Sequence, residues 1–147
     1  MYTHGLIAPI LALISWTFVM WVWMYATRIP AMQKANIDMV ELSRTGAPLT
    51  LPPQVARVAD NYNHLHEQPT IFYALALAAQ LAGQFSGHLP GHLDATSIGI
   101  AWSYVLLRVV HSLVQATGNV IIVRFSVFAI GSVVLFALLL RTLWLMY

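Results

Sequence analysis

The sequence contains no cysteine among its 147 residues, and it carries very little charge. Without cysteine, a disulfide, a thiol nucleophile and a thiolate metal site are all excluded. Charged residues make up 8% of the chain, against about 25% in an average soluble domain, and 59% of the residues are hydrophobic. This deficit of charge indicates a membrane protein. The net charge of +2 is too small to indicate a nucleic-acid partner, and no glycine pattern typical of nucleotide binding occurs.

Long apolar runs take the place of the missing charge. No Lys, Arg, Asp or Glu precedes Arg28, so the first run is long enough for a bilayer crossing, which needs about 20 apolar residues. It also lacks the basic start and short apolar core of a cleaved signal peptide. Because proline disfavours a helical predecessor, Arg28 to Pro30 is expected to end this helix. The predicted spans are residues 6–27, 54–84, 96–116 and 120–145, with a polar connection over 28–53.

Four spans joined by short connections predict one all-α domain, an integral membrane four-helix antiparallel bundle. The second predicted span has roughly 30 residues and would measure about 45 Å at 1.5 Å per residue, against a hydrocarbon core of about 30 Å. Its polar first turns should therefore project beyond the lipid. The rest of this span has small residues four apart, a spacing that allows close packing of helices: Ala74, Ala78 and Ala82.

Basic residues gather in one connection of the predicted bundle. They are Arg28, Lys34, Arg44 and the adjoining Arg57, whereas the N-terminus and the second loop have no Lys or Arg. Because cytoplasmic loops carry an excess of Lys and Arg, the first loop is expected to face the cytoplasm and both termini to lie outside.

Three predicted helices carry ionisable or amide side chains near their cytoplasmic ends. Spacings of three, four and seven residues place such side chains on one face of a helix. Ionisable groups inside spans usually face the bundle interior and pair with one another, so the convergence predicts one polar pocket. Its candidate residues are Asp60, Asn63, His64 and Glu67 on the second helix, Arg108, His111 and Gln115 on the third, and Arg124 on the fourth.

Simpler interpretations of these side chains stay open. Asp60, Asn61 and Asn63 are equally compatible with the solvated tip of an over-long helix. An Arg108–Glu67 ion pair would serve only to join helices, and Arg124 could extend into the lipid head groups. A metal site is not predicted, because His64 and His66 are two residues apart on opposing faces and no other ligand spacing is recognisable.

The order of these polar residues resembles that of the MAPEG superfamily. Its members are membrane-associated proteins in eicosanoid and glutathione metabolism, and they have four spans and a similar length. The second helix of that family opens with Arg, Asn, Glu, Pro and aromatic residues. The third-helix Arg-x-x-His resembles the prostaglandin synthase branch, and a fourth-helix Arg follows. The matching residues here are Arg57, Asn63, Glu67, Pro69, Phe72, Tyr73, Arg108, His111 and Arg124, with Ser126 close after.

The sequence departs from the family pattern at three places. His64 stands where the family usually has its Asn, three residues before the Glu, and Gln115 stands where glutathione-using members have a Tyr. Pro69 follows Glu67 after one residue, a spacing associated with bacterial members, so the bacterial inner membrane is the expected location.

The resemblance implies a glutathione-dependent transferase or peroxidase that acts on lipophilic electrophiles from the bilayer. Arg124 would be catalytic, stabilising the glutathione thiolate, while Arg57 and Arg108 would bind carboxylates and Glu67 the ammonium group. The binding residues implied are Arg28, Arg57, Asn63, His64, Glu67, Arg108, His111, Gln115 and Ser126. The family also implies a homotrimer with its sites between subunits.

A second interpretation comes from a different class of function. The chain could keep the fold as a non-catalytic membrane protein, either an accessory subunit or a lipid-binding module. Gln115 favours this alternative, or a different thiol or anionic ligand, since an amide can hydrogen-bond but cannot act as the family phenol does.

Overall fold

The computed structural model describes residues 5–46, 48–85 and 95–146, and within these residues there are six helices and no strand. The prediction of an all-α protein is confirmed. The connection between the fourth and fifth helices lies outside the described residues. The helices are α1 (Ile7–Lys34), α2 (Met39–Thr45), α3 (Pro53–His64), α4 (Gln68–Phe85), α5 (Ala95–Ala116) and α6 (Ile121–Met146).

Three of the described helices are long and apolar enough to cross a membrane. They are Ile7–Lys34, Ala95–Ala116 and Ile121–Trp144, with mean hydropathies of 1.9, 1.5 and 2.4. Their outer sides expose large apolar side chains such as Phe18, Leu106 and Ile122. A continuous apolar surface of this kind is rare on a soluble monomer. Both features fit an integral membrane protein.

The first helix is longer than the sequence predicts, because it passes through Pro30 and ends at Lys34. A proline inside a helix removes one backbone hydrogen bond and crowds the preceding turn. Here Pro30 lies on an exposed part of α1, where the carbonyl group that loses its partner can reach solvent. Two residues after the end of α1, Asn36 has a φ of 47°, a left-handed conformation that asparagine tolerates and that cannot continue the helix.

The predicted uninterrupted helix over residues 54–84 is wrong at its centre, where α3 ends at His64 and α4 begins at Gln68. Pro69 is fully buried, and in a continuous helix its ring would clash with the carbonyl of Leu65, at a cost of about 3 kcal/mol or more. As the second residue of a new helix it is well tolerated. The intervening turn is closed by the Glu67 N–H, which donates to the His64 carbonyl at 3.3 Å.

Hydrogen bonds at both ends of the helices set an antiparallel order. At one end the backbone N–H of Leu6 donates to Oε1 of Gln80 at 2.8 Å, which ties the start of α1 to the last turns of α4. At the other end the Arg57 guanidinium donates to the Thr117 carbonyl at 3.2 Å. The beginning of α3 and the turn between α5 and α6 therefore share one end of the molecule.

Two apolar clusters hold the helices together. The larger one lies between α1, α4, α5 and α6, and at its centre the rings of Phe72 and Tyr104 stack at 4.7 Å between centroids. The smaller one packs Met20 and Met24 of α1 against Val58 of α3. Leu65 and Ala116 belong to the same cluster, so α1, the end of α3 and the end of α5 meet there.

One buried polar contact also joins α3 to α5. The Asn61 side chain is 0% exposed, and its Nδ2 donates to Oγ of Ser112 at 2.6 Å. The interpretation of Asn61 as part of a solvated helix tip is therefore wrong, whereas its neighbours Asp60 and Asn63 are exposed. Among the residues that the structure describes, the Asn61 Oδ1 has no hydrogen-bond partner.

The Ser112→Ala variant should lower the free energy of unfolding by about 1–3 kcal/mol, because the Asn61 amide would be left buried without an acceptor. Thermal unfolding in detergent measures the change. The double variant Asn61→Leu/Ser112→Ala removes both polar groups and should recover most of the loss. Ser103→Ala, on an exposed face of the same helix, is the matched control. An unchanged stability in Ser112→Ala would contradict the prediction.

Candidate functional site

A cavity of about 540 Å³ lies where α3, α5 and the start of α6 meet. Its walls on α3 and α5 are polar, and the wall on α6 combines one cation with apolar side chains. The lining residues are Asp60, Asn63, His64, Glu67, His111, Gln115, Ile121, Arg124, Phe125 and Phe128. Of the predicted site residues, the structure thus brings together Asn63, His64, Glu67, His111, Gln115 and Arg124.

His64 and Glu67 are hydrogen-bonded across the turn that separates α3 from α4. The distance from His64 Nδ1 to Glu67 Oε2 is 2.6 Å. A carboxylate only accepts hydrogen bonds, so the hydrogen lies on Nδ1. The His64 side chain is 22% exposed and the Glu67 side chain 65%. The two residues are three positions apart, the spacing that places both side chains on one face of the helix predicted from the sequence.

His111 is held through both of its ring nitrogens. Nδ1 lies 3.1 Å from the Arg124 carbonyl oxygen, and Nε2 lies 3.1 Å from Oε1 of Gln115. Because the backbone carbonyl only accepts, Nδ1 donates, and Nε2 of the neutral ring then accepts from the Gln115 amide when that amide turns its N–H2 group towards the ring. The ring also packs against His64, with 5.0 Å between the centroids. His111 therefore links α5 to the first turn of α6 and has no ring nitrogen left over for a ligand.

Arg124 is the cation that lines the cavity. Its Nη1 donates to Oδ1 of Asn119 at 2.9 Å, and Asn119 lies in the turn before α6 with a φ of 48°. Among the described side chains, Arg124 has no carboxylate within salt-bridge distance. Its charge is therefore available to an anion in the cavity.

Arg108 is buried behind the cavity wall, with 2% of its surface exposed. Its Nε donates to the Tyr104 hydroxyl at 3.0 Å, its Nη2 donates to Oε1 of Gln68, and its guanidinium carbon lies 5.2 Å from the Phe128 ring centroid. Phe128 lines the cavity and Arg108 does not. The Arg108–Glu67 ion pair considered from the sequence is absent from the described part of the chain, where Glu67 pairs with His64.

Three further predicted site residues lie away from the cavity. Arg57 is engaged with the Thr117 carbonyl. Ser126 is exposed on α6, two residues after Arg124 and therefore on nearly the opposite side of the helix. Arg28, on α1, is not among the lining residues.

The sequence reasoning missed the apolar wall and one amide. Ile121 and Phe128 stand three residues before and four residues after Arg124, a helical spacing that places all three on one face. This helical spacing is visible in the sequence and predicts that the three side chains form one wall. No sequence pattern predicts that Gln68 accepts a hydrogen bond from Arg108, because this contact depends on the helix break.

The described residues contain no group of three or more His, Asp or Glu side chains placed to hold a metal ion. The chemistry of the cavity is instead that of a cation, a carboxylate–imidazole pair and amides. These groups suit an organic ligand that carries both negative and positive charge.

The fold and the cavity together define a class, a helical integral membrane protein with a polar site at one end of its helices. Within that class the chain belongs to the MAPEG family, whose sequence model matches residues 6–144. The family resemblance predicted from the polar positions is confirmed. No curated protein and no solved structure shows a significant match.

Proposed function

We propose that this protein is a membrane-bound glutathione-dependent transferase or peroxidase that acts on lipophilic electrophiles. The observation that carries the proposal is Arg124, a cavity-lining guanidinium without a carboxylate partner among the described residues. A cation that is already in place where negative charge develops favours that charge. The thiolate of glutathione is such an anion, and membership of the MAPEG family supports this choice of thiol.

The other groups of the cavity complement the rest of glutathione. One Glu67 oxygen contacts His64, which leaves the second oxygen for the ammonium group, and Asp60 lines the same cavity. The amides of Asn63 and Gln115 can hydrogen-bond the peptide groups. The volume of about 540 Å³ falls within the range of about 300–1,000 Å³ that is typical of small-molecule sites.

We also propose that α3 and α4 together make the second of four membrane crossings and complete a four-helix antiparallel bundle. The 18 residues of α4 would span about 27 Å at 1.5 Å per residue, close to a hydrocarbon core of about 30 Å. The Leu6–Gln80 hydrogen bond supports this order. The basic residues then place the cavity towards the cytoplasm of a bacterial inner membrane, with both termini outside.

A homotrimer, with membrane lipids around it, is the proposed assembly. Two of the small α4 residues that are four apart, Ala74 and Ala78, are exposed in the single chain, and such residues let helices of neighbouring subunits approach closely. Phe125, at the cavity wall, is 68% exposed. A neighbouring subunit would cover both features and close the cavity towards lipid.

The direct test is glutathione binding, measured by calorimetry or thermal shift on the protein in detergent. The wild type should bind, and Glu67→Gln should weaken binding about tenfold or more, since a hydrogen bond to a charged group contributes about 1.5–3 kcal/mol. Glu41→Gln is the matched control, because Glu41 lies on α2 and pairs only with Arg44 at the surface. Absence of binding to the wild type at millimolar glutathione would overturn the proposal.

One observation favours a second candidate, the non-catalytic accessory or lipid-binding protein. None of the described residues that line the cavity bears a hydroxyl group, and Gln115 stands where the family resemblance calls for a phenol. This candidate expects a lipid or a partner protein in the cavity after mild purification, visible by native mass spectrometry. It also expects no thiol turnover with any electrophile.

A further inference from the structure

We propose that His64 is the general base of the site, taking the thiol proton of the bound substrate, and that Glu67 orients its ring. This inference rests on the proposed function and deepens it. Its starting point is the short contact from His64 Nδ1 to Glu67 Oε2, 2.6 Å, at the edge of the cavity that also holds Arg124. A carboxylate on one ring nitrogen fixes the tautomer and stabilises the imidazolium that forms when the other nitrogen takes a proton.

The two imidazoles of the cavity differ in which nitrogens are occupied. His111 uses Nδ1 for the Arg124 carbonyl and Nε2 for Gln115. His64 uses only Nδ1, and its Nε2 has no hydrogen-bond partner among the residues that the structure describes. Of the two rings, His64 is therefore the one with a ring nitrogen free to meet a substrate thiol.

Two neighbouring rings, 5.9 Å from each other, also pack against His64. The His111 ring lies 5.0 Å away and the Phe128 ring 5.6 Å away, centroid to centroid. These contacts come from α5 and α6, so three elements set the orientation of the imidazole. A ring fixed in this way loses little freedom when it engages a substrate, which is a requirement for efficient proton transfer.

Arg124 cannot take the thiol proton, because a guanidinium is already protonated and has no acceptor. A thiol has an ordinary pKa of about 8.5, an imidazole about 6.5 and a carboxyl about 4, so an imidazole is the better matched base for a thiol. The charged and titratable groups facing this site are Asp60 and Glu67 from the α3–α4 side, His111 from α5 and Arg124 from α6.

The proposed step conserves atoms and charge. The S–H bond of glutathione breaks, its proton bonds to Nε2 of His64, and its electron pair stays on sulfur as a thiolate beside Arg124. The thiolate then forms a C–S bond to the electrophile. The imidazolium returns its proton to the atom of the electrophile that receives the displaced electron pair, and His64 is neutral again.

The test counts protons released when glutathione binds. If the thiol proton moves to His64, the wild type should form thiolate and release close to no thiol proton to the buffer. S-methylglutathione, which has no thiol proton, supplies the baseline for the other ionisable groups of the ligand. Calorimetry in buffers of different ionisation enthalpy gives the count, and ultraviolet difference absorbance gives the amount of thiolate. Release of one proton per thiolate by the wild type would overturn the proposal, whatever the variants do.

Two variants add a kinetic readout. His64→Asn, which restores the residue usual in the family, should still bind S-methylglutathione but should turn over about 100-fold more slowly, within the range for loss of a general base. Any thiolate it forms should release one proton. His66→Asn is the matched control, because His66 is exposed and contacts the Tyr62 carbonyl instead. A His64→Asn variant with wild-type turnover and proton count would contradict the assignment.

The failure of this inference can be told apart from that of the proposed function. If wild-type protein binds no glutathione or shows no thiolate, the proposed function fails and the inference fails with it. If thiolate forms but its proton appears in the buffer, the transferase or peroxidase function stands and the role of His64 is wrong.

Discussion

Replacing Arg124 with alanine should abolish the thiolate absorbance of bound glutathione and lower kcat/KM by about 100- to 1,000-fold, the loss typical of removing one preorganised group that stabilises charge. The physical reason is that Arg124 is the cavity-lining cation without a carboxylate partner among the described residues. Ultraviolet difference spectroscopy measures the thiolate, and steady-state kinetics with a lipophilic electrophile measure the rate.

Arg141→Ala is the control for that variant. Arg141 lies on the same helix, but at the opposite end, where its Nε donates to Oγ of Ser97 at 3.2 Å. This variant should keep the thiolate signal, whereas Arg124→Lys should keep part of it, because lysine retains the charge but not the planar fork. A thiolate signal of wild-type size in Arg124→Ala would contradict the prediction.

The second large effect concerns the buried Arg108. Replacing it with methionine should raise the free energy of unfolding of the ligand-free protein by about 1–4 kcal/mol, the range seen when buried ionic groups give way to apolar ones. The two acceptors it leaves behind can satisfy each other, since the Tyr104 hydroxyl already lies 3.4 Å from Oε1 of Gln68. The same variant should bind glutathione about tenfold more weakly, which corresponds to about 1.4 kcal/mol.

Gln68→Leu is the opposing variant, because it removes an acceptor and leaves the buried charge in place. Its free energy of unfolding should fall by several kcal/mol, as expected when a buried charge loses a partner. Chemical or thermal unfolding in detergent measures both variants. If Arg108→Met were less stable than the wild type, the guanidinium would be a stabilising element of the fold and the prediction would be wrong.

Hydropathy and helical periodicity predict most of this fold, since both depend on local composition. They place α5 and α6 within a residue or two of their observed ends. They do not predict where a helix ends when a single proline disagrees with the surrounding apolar pattern. Pro69 divides the second predicted span, although the apolar run itself continues, and Pro30 does not end α1, because its surroundings tolerate the lost hydrogen bond.

In the candidate site, too, the sequence predicts what depends on neighbouring residues of one helix but not what depends on packing between helices. Helical spacing correctly predicts that His111 and Gln115 share a face with one another, and that Arg124 belongs to the same end of the molecule. It cannot predict that Phe128 stands between Arg108 and the cavity, since that depends on how α5 and α6 pack. The burial of Asn61 likewise depends on Ser112, a partner 51 positions away.

The burial of Arg108 also has a consequence for how the site should respond to ionic strength. Dissolved ions screen exposed charges over about 10 Å at 0.1 M salt, but they act far less on charges that solvent does not reach. The positive potential that Arg108 adds to the cavity should therefore persist in concentrated salt. The part of the preference for an anionic over a neutral ligand that comes from Arg108 would then vary little with salt, unlike attraction that comes from a basic protein surface.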